Sequence, residues 1–123
     1  MIKKENQKNG DMLSVLGFGC MRFPTKNGII DESRSINMIH NAIENGVNYF
    51  DTAYIYHAGK SEVLLGKALS GTYRRQVKVA TKLPPYMVKT LEGAKKIFTT
   101  QLARLQTDYI DYYLLHMLTD KPM

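Results

Sequence analysis

Asp51, Lys82 and His116 each close an apolar run, and each is followed by a loop. Tyr56 follows Asp51 by five residues and lies within reach of the same place. A phenol, with an ordinary pKa of about 10, carries its proton at neutral pH. An ammonium beside it stabilises phenolate and eases the proton's departure. A carboxylate can hold that ammonium in place, and an imidazole can hydrogen-bond or orient a substrate oxygen. The set suits reduction of a carbonyl, in which hydride reaches carbon from a cofactor and a proton reaches oxygen. Taken singly, the same residues read as a turn former, a solvated lysine and a histidine without a catalytic role. Their recurrence at the ends of three successive strands is what joins them.

The elements that must position them follow from punctuation and periodicity. Asn9-Gly10 is a hairpin signal, and 13–19 reads as a strand with two glycines near its end. Asp31 can cap a helix with Ile36, Ile39, Ala42 and Ile43 on one face, stopped by Asn45-Gly46. Residues 47–50 form a strand that ends at Asp51. Ser61 can cap a second helix, with Leu64, Leu65, Ala68 and Leu69 apolar and Gly71 beyond its end. The β-branched run 77–81 ends at Lys82, before Pro84-Pro85. Thr90 can cap a third helix whose face is Leu91, Ala94, Phe98, Leu102 and Leu105, and 109–115 is a strand ending at His116. Strands alternating with helices imply a parallel sheet, and in a parallel barrel all strands end at one rim. Alternation then turns Tyr49 and Val47 the same way as Asp51, Tyr112 and Leu114 the same way as His116, and Ala80 with Lys82. Lys78 fits this pattern least well.

The chain has 123 residues, 44% hydrophobic and 23% charged, which suits a globular domain and excludes disordered and fibrous classes. Its net charge is +6, but the cations are scattered and form no nucleic-acid surface. No apolar run approaches the roughly 18 residues of a membrane span, and the polar start is no secretory leader. Cys20 is alone, so neither an intramolecular disulfide nor an all-cysteine metal site can form. The expectation is a cytoplasmic protein without nucleic-acid or membrane partners. Some three and a half βα units fill the chain. A closed barrel needs about 250 residues, so the sequence reads as the front half of something larger.

Four stretches, in order, resemble the aldo-keto reductase superfamily. They are Leu16-Gly17-Phe18-Gly19-Cys20-Met21-Arg22, then Gly46-Val47-Asn48-Tyr49-Phe50-Asp51-Thr52-Ala53-Tyr54-Ile55-Tyr56, then Ala80-Thr81-Lys82, and finally residues 105–116. The resemblance implies an α/β fold of the (β/α)8 TIM-barrel family, with 1–123 as a single domain forming the N-terminal half of that barrel. It also implies NADP(H) or NAD(H) as cofactor, a small aldehyde or ketone as substrate, and a tetrad of Asp51, Tyr56, Lys82 and His116 with Tyr56 as proton donor. Without the rest of the barrel, the isolated 123-residue chain is expected to be inactive. Gly19, Cys20 and Met21 would pass close to the nicotinamide together with Asp51, Cys20 being a packed small side chain rather than a reactive thiol. The wording around Asp51 and His116 is similar to prokaryotic members with a C-terminal ferredoxin-like iron–sulfur domain. A cluster generally needs four thiolates, so this chain supplies no iron–sulfur ligands.

Two other readings compete. Tyr56 and Lys60 fit the Tyr-x-x-x-Lys motif of short-chain dehydrogenases, which requires a regular helix over 56–60. Alternatively the chain is a catalytically dead reductase fragment or a half-barrel assembly module. Its first and fourth barrel strands would then be open edges prone to self-association. Tyr54, His57 and Tyr86 are candidates to line a substrate cleft, and His40 reads as a surface residue on the first helix.

Overall fold

The structure is a computed structural model that describes residues 1–117. A hairpin of β1 (Lys3–Glu5) and β2 (Met12–Ser14) opens the chain, its loop closed by Asn9 and Gly10 amides on the Asn6 carbonyl. The expected strand 13–19 is broken. After Ser14 the chain turns, and only β3 (Phe18–Gly19) joins the main sheet. Ser14 accounts for the break, because its hydroxyl donates to the Leu16 carbonyl at 2.7 Å and accepts from the Asn48 amide at 3.0 Å. A small hairpin, β4 (Thr25–Lys26) and β5 (Ile29–Ile30), leads into α1 (Glu32–Glu44). Asp31 caps α1 as expected, accepting from the Arg34 amide.

Next come β6 (Tyr49–Asp51), α2 (Lys60–Ala68), β7 (Lys78–Leu83), α3 (Leu91–Leu105, capped by Thr90) and β8 (Tyr112–Leu115). Several boundaries differ from expectation, and β6 begins only at Tyr49, so Val47 packs in the core and does not turn the same way as Asp51. β7 runs through Lys82 to Leu83, where Pro84, lacking an N–H, ends the ladder. β8 begins only at Tyr112. Gly59, not Ser61, stands at the cap of α2, and Ser61 is a buried residue of its first turn. No helix of the described residues is long and apolar enough to cross a membrane.

The main sheet is parallel, in the order β3-β6-β7-β8. Its register sets Gly19 beside Asp51, Asp51 beside Ala80, and Ala80 beside Tyr112, with Lys82 level with Leu114. Alternation divides its two faces. Phe50 and Val79 look toward the helices and join Ile39, Leu64, Leu65, Ala68, Leu69 and Leu105 in the core. Tyr49, Lys78, Tyr112 and Asp51 take the opposite face. Lys78 owes its place to the first hairpin, since its ammonium lies 3.5 Å from Asp11. Asp11 also accepts from the Tyr112 hydroxyl at 2.7 Å. The charge that fits a barrel interior least well is thus paired at the sheet's N-terminal end.

The helix faces hold with two corrections. On α3, Leu91 is 71% exposed while Gln101 is fully buried, so the inward stripe is partly polar. His40 is half-buried rather than a surface residue: its ring stacks on Tyr73 with centroids 4.2 Å apart, and Nε2 bonds the Ala68 carbonyl at 2.7 Å. It ties α1 to the end of α2.

Candidate active site

Asp51 ends β6, Lys82 lies near the end of β7, and His116 follows β8, so the sheet carries all three to its C-terminal edge. Lys82 stands two residues beyond Ala80, the partner of Asp51, and its ammonium reaches back diagonally to form an ion pair with the Asp51 carboxylate. The same ammonium donates to the Thr52 carbonyl at 2.8 Å. It lies 4.8 Å from the centroid of the Tyr56 ring. That ring meets the His116 imidazole edge to face, with centroids 5.6 Å apart and planes at 86°. All four residues singled out from the sequence therefore meet at one rim.

The loop that delivers Tyr56 is pinned at several points. Thr52 and Ser61 hydroxyls bond each other at 2.8 Å, and Ser61 donates to the Cys20 carbonyl at 2.7 Å. Beyond Tyr56 the backbone turns through left-handed conformations at His57 (φ 51°), Ala58 (φ 52°) and Gly59 (φ 92°). A left-handed alanine costs about 1–2 kcal/mol. Surrounding contacts hold the turn: His57 Nε2 accepts from the Phe23 amide at 2.9 Å, and its ring stacks on Phe23. This backbone is incompatible with a regular helix over 56–60, so Tyr56 and Lys60 cannot share the helical face that a Tyr-x-x-x-Lys site requires. His57 and Tyr54 are engaged in structural contacts, the latter under the Arg104 guanidinium. Tyr86 is 40% exposed.

Electrostatics sort the remaining groups. Burial, and then the Lys82 charge, push the His116 imidazole below its ordinary value, with Asp51 opposing. Its Nδ1 is buried without a hydrogen-bond partner among the described residues. Burial, then the Asp51 and Tyr112 oxygens, raise the Tyr49 phenol. The Cys20 thiol is pushed far up by burial, reinforced by Asp51, which fits a packed side chain and not a nucleophile. Cys20 is fully buried, its amide donates to the Asp51 carbonyl at 2.8 Å, and its carbonyl is taken by Ser61. Gly19 differs, because a Cβ placed there would meet nothing within 4 Å, and the neighbouring Met21 is 53% exposed. Open space above Gly19 and a partly exposed Asp51 carboxylate leave room for the edge of a planar ring beside the tetrad.

Sequence reasoning missed a buried polar group on the far side of the sheet. Glu62 of α2 accepts from Thr81 Oγ1 at 2.7 Å, Gln101 Nε2 at 3.0 Å and Arg104 Nη1 at 3.0 Å. A glutamate and an arginine on amphipathic helices read as solvated. The one available hint was Gln101, a polar residue within the apolar stripe of α3.

The Aldo/keto reductase family matches residues 15–121 of the sequence. The chain belongs to the aldo/keto reductase family. Probable aldo-keto reductase 1 of Glycine max is 35% identical over 116 residues, covering 87% of this chain and 34% of that protein. The holo form of aldo-keto reductase AKR11C1 from Bacillus halodurans superposes with a TM-score of 0.78 at 35% identity, over 93% of this chain and 40% of that one. An aldo-keto reductase from Klebsiella pneumoniae in complex with NADPH gives a TM-score of 0.83 at 28% identity, over 99% and 42% of the two chains. This aldo/keto reductase chain thus spans between a third and a half of the length of these relatives. The fold is part of a (β/α)8 barrel, and the four parallel strands are an arc of its wall.

Proposed function

We propose that the chain carries the proton-handling side of an oxidoreductase that reduces an aldehyde or ketone to an alcohol with NADPH or NADH. Residues 1–123 would form, as one domain, the N-terminal half of the barrel. The observation that supports this is the meeting of Tyr56, Lys82, Asp51 and His116 at the C-terminal end of a parallel sheet. Gly19, Met21 and the Asp51 carboxylate would hold the nicotinamide, which when bound supplies hydride to the carbonyl carbon, while Cys20, its amide and carbonyl already taken by Asp51 and Ser61, would only back them. The Tyr56 hydroxyl gives its proton to the carbonyl oxygen. The Lys82 ammonium, held by Asp51 and the Thr52 carbonyl, stabilises the phenolate left behind, and His116 orients the oxygen by a hydrogen bond.

The test is oxidation of NADPH or NADH by the chain with an aromatic aldehyde, followed by absorbance, beside cofactor titration by fluorescence. Cofactor binding, with turnover lost in Tyr56→Phe, upholds the proposal. Turnover unchanged in that variant, or a folded chain that binds neither cofactor, overturns it. A second reading, a non-catalytic assembly module, is favoured by the outer strands of the main sheet, open among the described residues, and by the exposure of Leu114 and Leu115 on β8. Self-association without cofactor binding would establish it.

A further inference from the structure

Glu62 is fully buried, a setting that a carboxylate tolerates only when paired and hydrogen-bonded. Each partner of Glu62 leads toward the tetrad. Thr81 precedes Lys82 in β7, and Gln101 Nε2, besides donating to Glu62, donates to the Lys82 carbonyl at 2.9 Å. Arg104 Nη1 also donates to the Tyr54 carbonyl at 2.9 Å, and its guanidinium lies 4.2 Å from the centroid of the Tyr54 ring, two residues before Tyr56. Its Nη2 stands only 2.9 Å from where a Cβ on Gly59 would sit, directly under the left-handed turn. One carboxylate therefore braces the strand end bearing Lys82 against the loop bearing Tyr56. Stability alone does not require such a device, because a buried ion pair gains little over an apolar pair of similar volume.

We propose that Glu62 and Arg104 are positioning residues that set the Tyr56 ring relative to the Lys82 ammonium, touching neither substrate nor cofactor. The kinetic consequence rests on the reductase reading, whereas the geometric one does not. The full chain, labelled with [13Cε]lysine, reports the geometry directly. The Tyr56 ring faces the Lys82 amine, so the Lys82 Cε–H resonances, identified by their absence in K82R, are displaced upfield, and Y56L marks the undisplaced value. In E62Q and in R104M the displacement falls to that value while helical circular dichroism persists. In D31A, which removes only the cap of α1, the displacement stays. Where the wild-type chain turns over, kcat in E62Q and R104M drops about ten- to hundredfold with KM little changed, the signature of a misplaced group remote from the substrate. A wild-type displacement retained in both folded variants overturns the proposal whatever the activity. Should E62Q fail to fold, R104M, whose side chain is partly exposed, decides alone. A folded chain that binds neither cofactor defeats the reductase reading, and the lysine resonances still decide the role of Glu62 and Arg104.

Discussion

At His116 three influences act on one imidazole: burial and Lys82 lower its proton affinity, and Asp51 raises it. The folded value lies below the ordinary 6.5, so near that pH the unfolded chain binds more protons than the native one. The associated stability is fully present above the unfolded value and is lost as pH falls through the folded one. An imidazole NMR titration should place the midpoint below 6.5, higher in Lys82→Met and lower in Asp51→Asn. His116→Gln should flatten the acid side of the stability profile. Tyr56→Phe should lower kcat by about 100-fold or more, the usual weight of a positioned general acid, while cofactor affinity stays the same. Asp51, Lys82 and His116 were legible because alternation and strand ends are local signals. Lys78 was not, since its partner Asp11 lies on a hairpin 67 positions earlier in the sequence. Glu62 and Arg104 were hidden for the same reason, being 42 positions apart.

Between elements, the closest packing is at α2 and α3. A Cβ on Gly66 would stand 2.5 Å from the Arg104 carbonyl oxygen and 2.9 Å from the Leu105 Cα. Backbone cannot swing aside as a side chain can, so Gly66→Ala should cost about 1–3 kcal/mol or more, read as a fall in thermal midpoint. Thr90→Ala, which removes a cap on the solvent side of α3, should cost about 1 kcal/mol. A second clamp closes the N-terminal end of the sheet: Arg74 bonds the Tyr109 carbonyl and Asp111, both at 2.9 Å, and Asp111 accepts from the Val79 amide. Removing one member of a buried pair strands the other, so Arg74→Met should destabilise by about 3–5 kcal/mol in urea unfolding. The helices were readable from their apolar spacing, and Asp31 and Thr90 from their chemistry as caps. Ser61 misled because a serine before an apolar run is an equally good cap in sequence, and only the left-handed turn through Gly59 moves the helix start past it. The strand 13–19 misled because periodicity does not register a side chain, here Ser14, that bonds its own backbone and turns the chain.

Across the whole molecule the sheet has two open sides. β3 and β8 have no partner on their outer edges among the described residues. Leu115 is 54% exposed, and Val15 and Leu16, just before β3, are 56% and 58% exposed. Rows of unpaired backbone groups beside apolar side chains recruit other strands. The 123-residue chain expressed alone should therefore sediment heavier than its 14.0 kDa, and Leu115→Lys should shift it toward monomer. A wild-type sample that stays monomeric and melts cooperatively would contradict this.

The order β3-β6-β7-β8 has a further consequence for how the molecule comes into being. Every strand of the sheet lies beside the one that precedes it in the sheet's own sequence, so a polypeptide leaving the ribosome can add each to an edge already built. The first hairpin, although it can dock early on Asn48, must wait for its last partner. Asn6, Asn9 and Asp11 all bond the hydroxyl of Tyr112, more than a hundred residues downstream, so the part of the protein made earliest is among the last to settle.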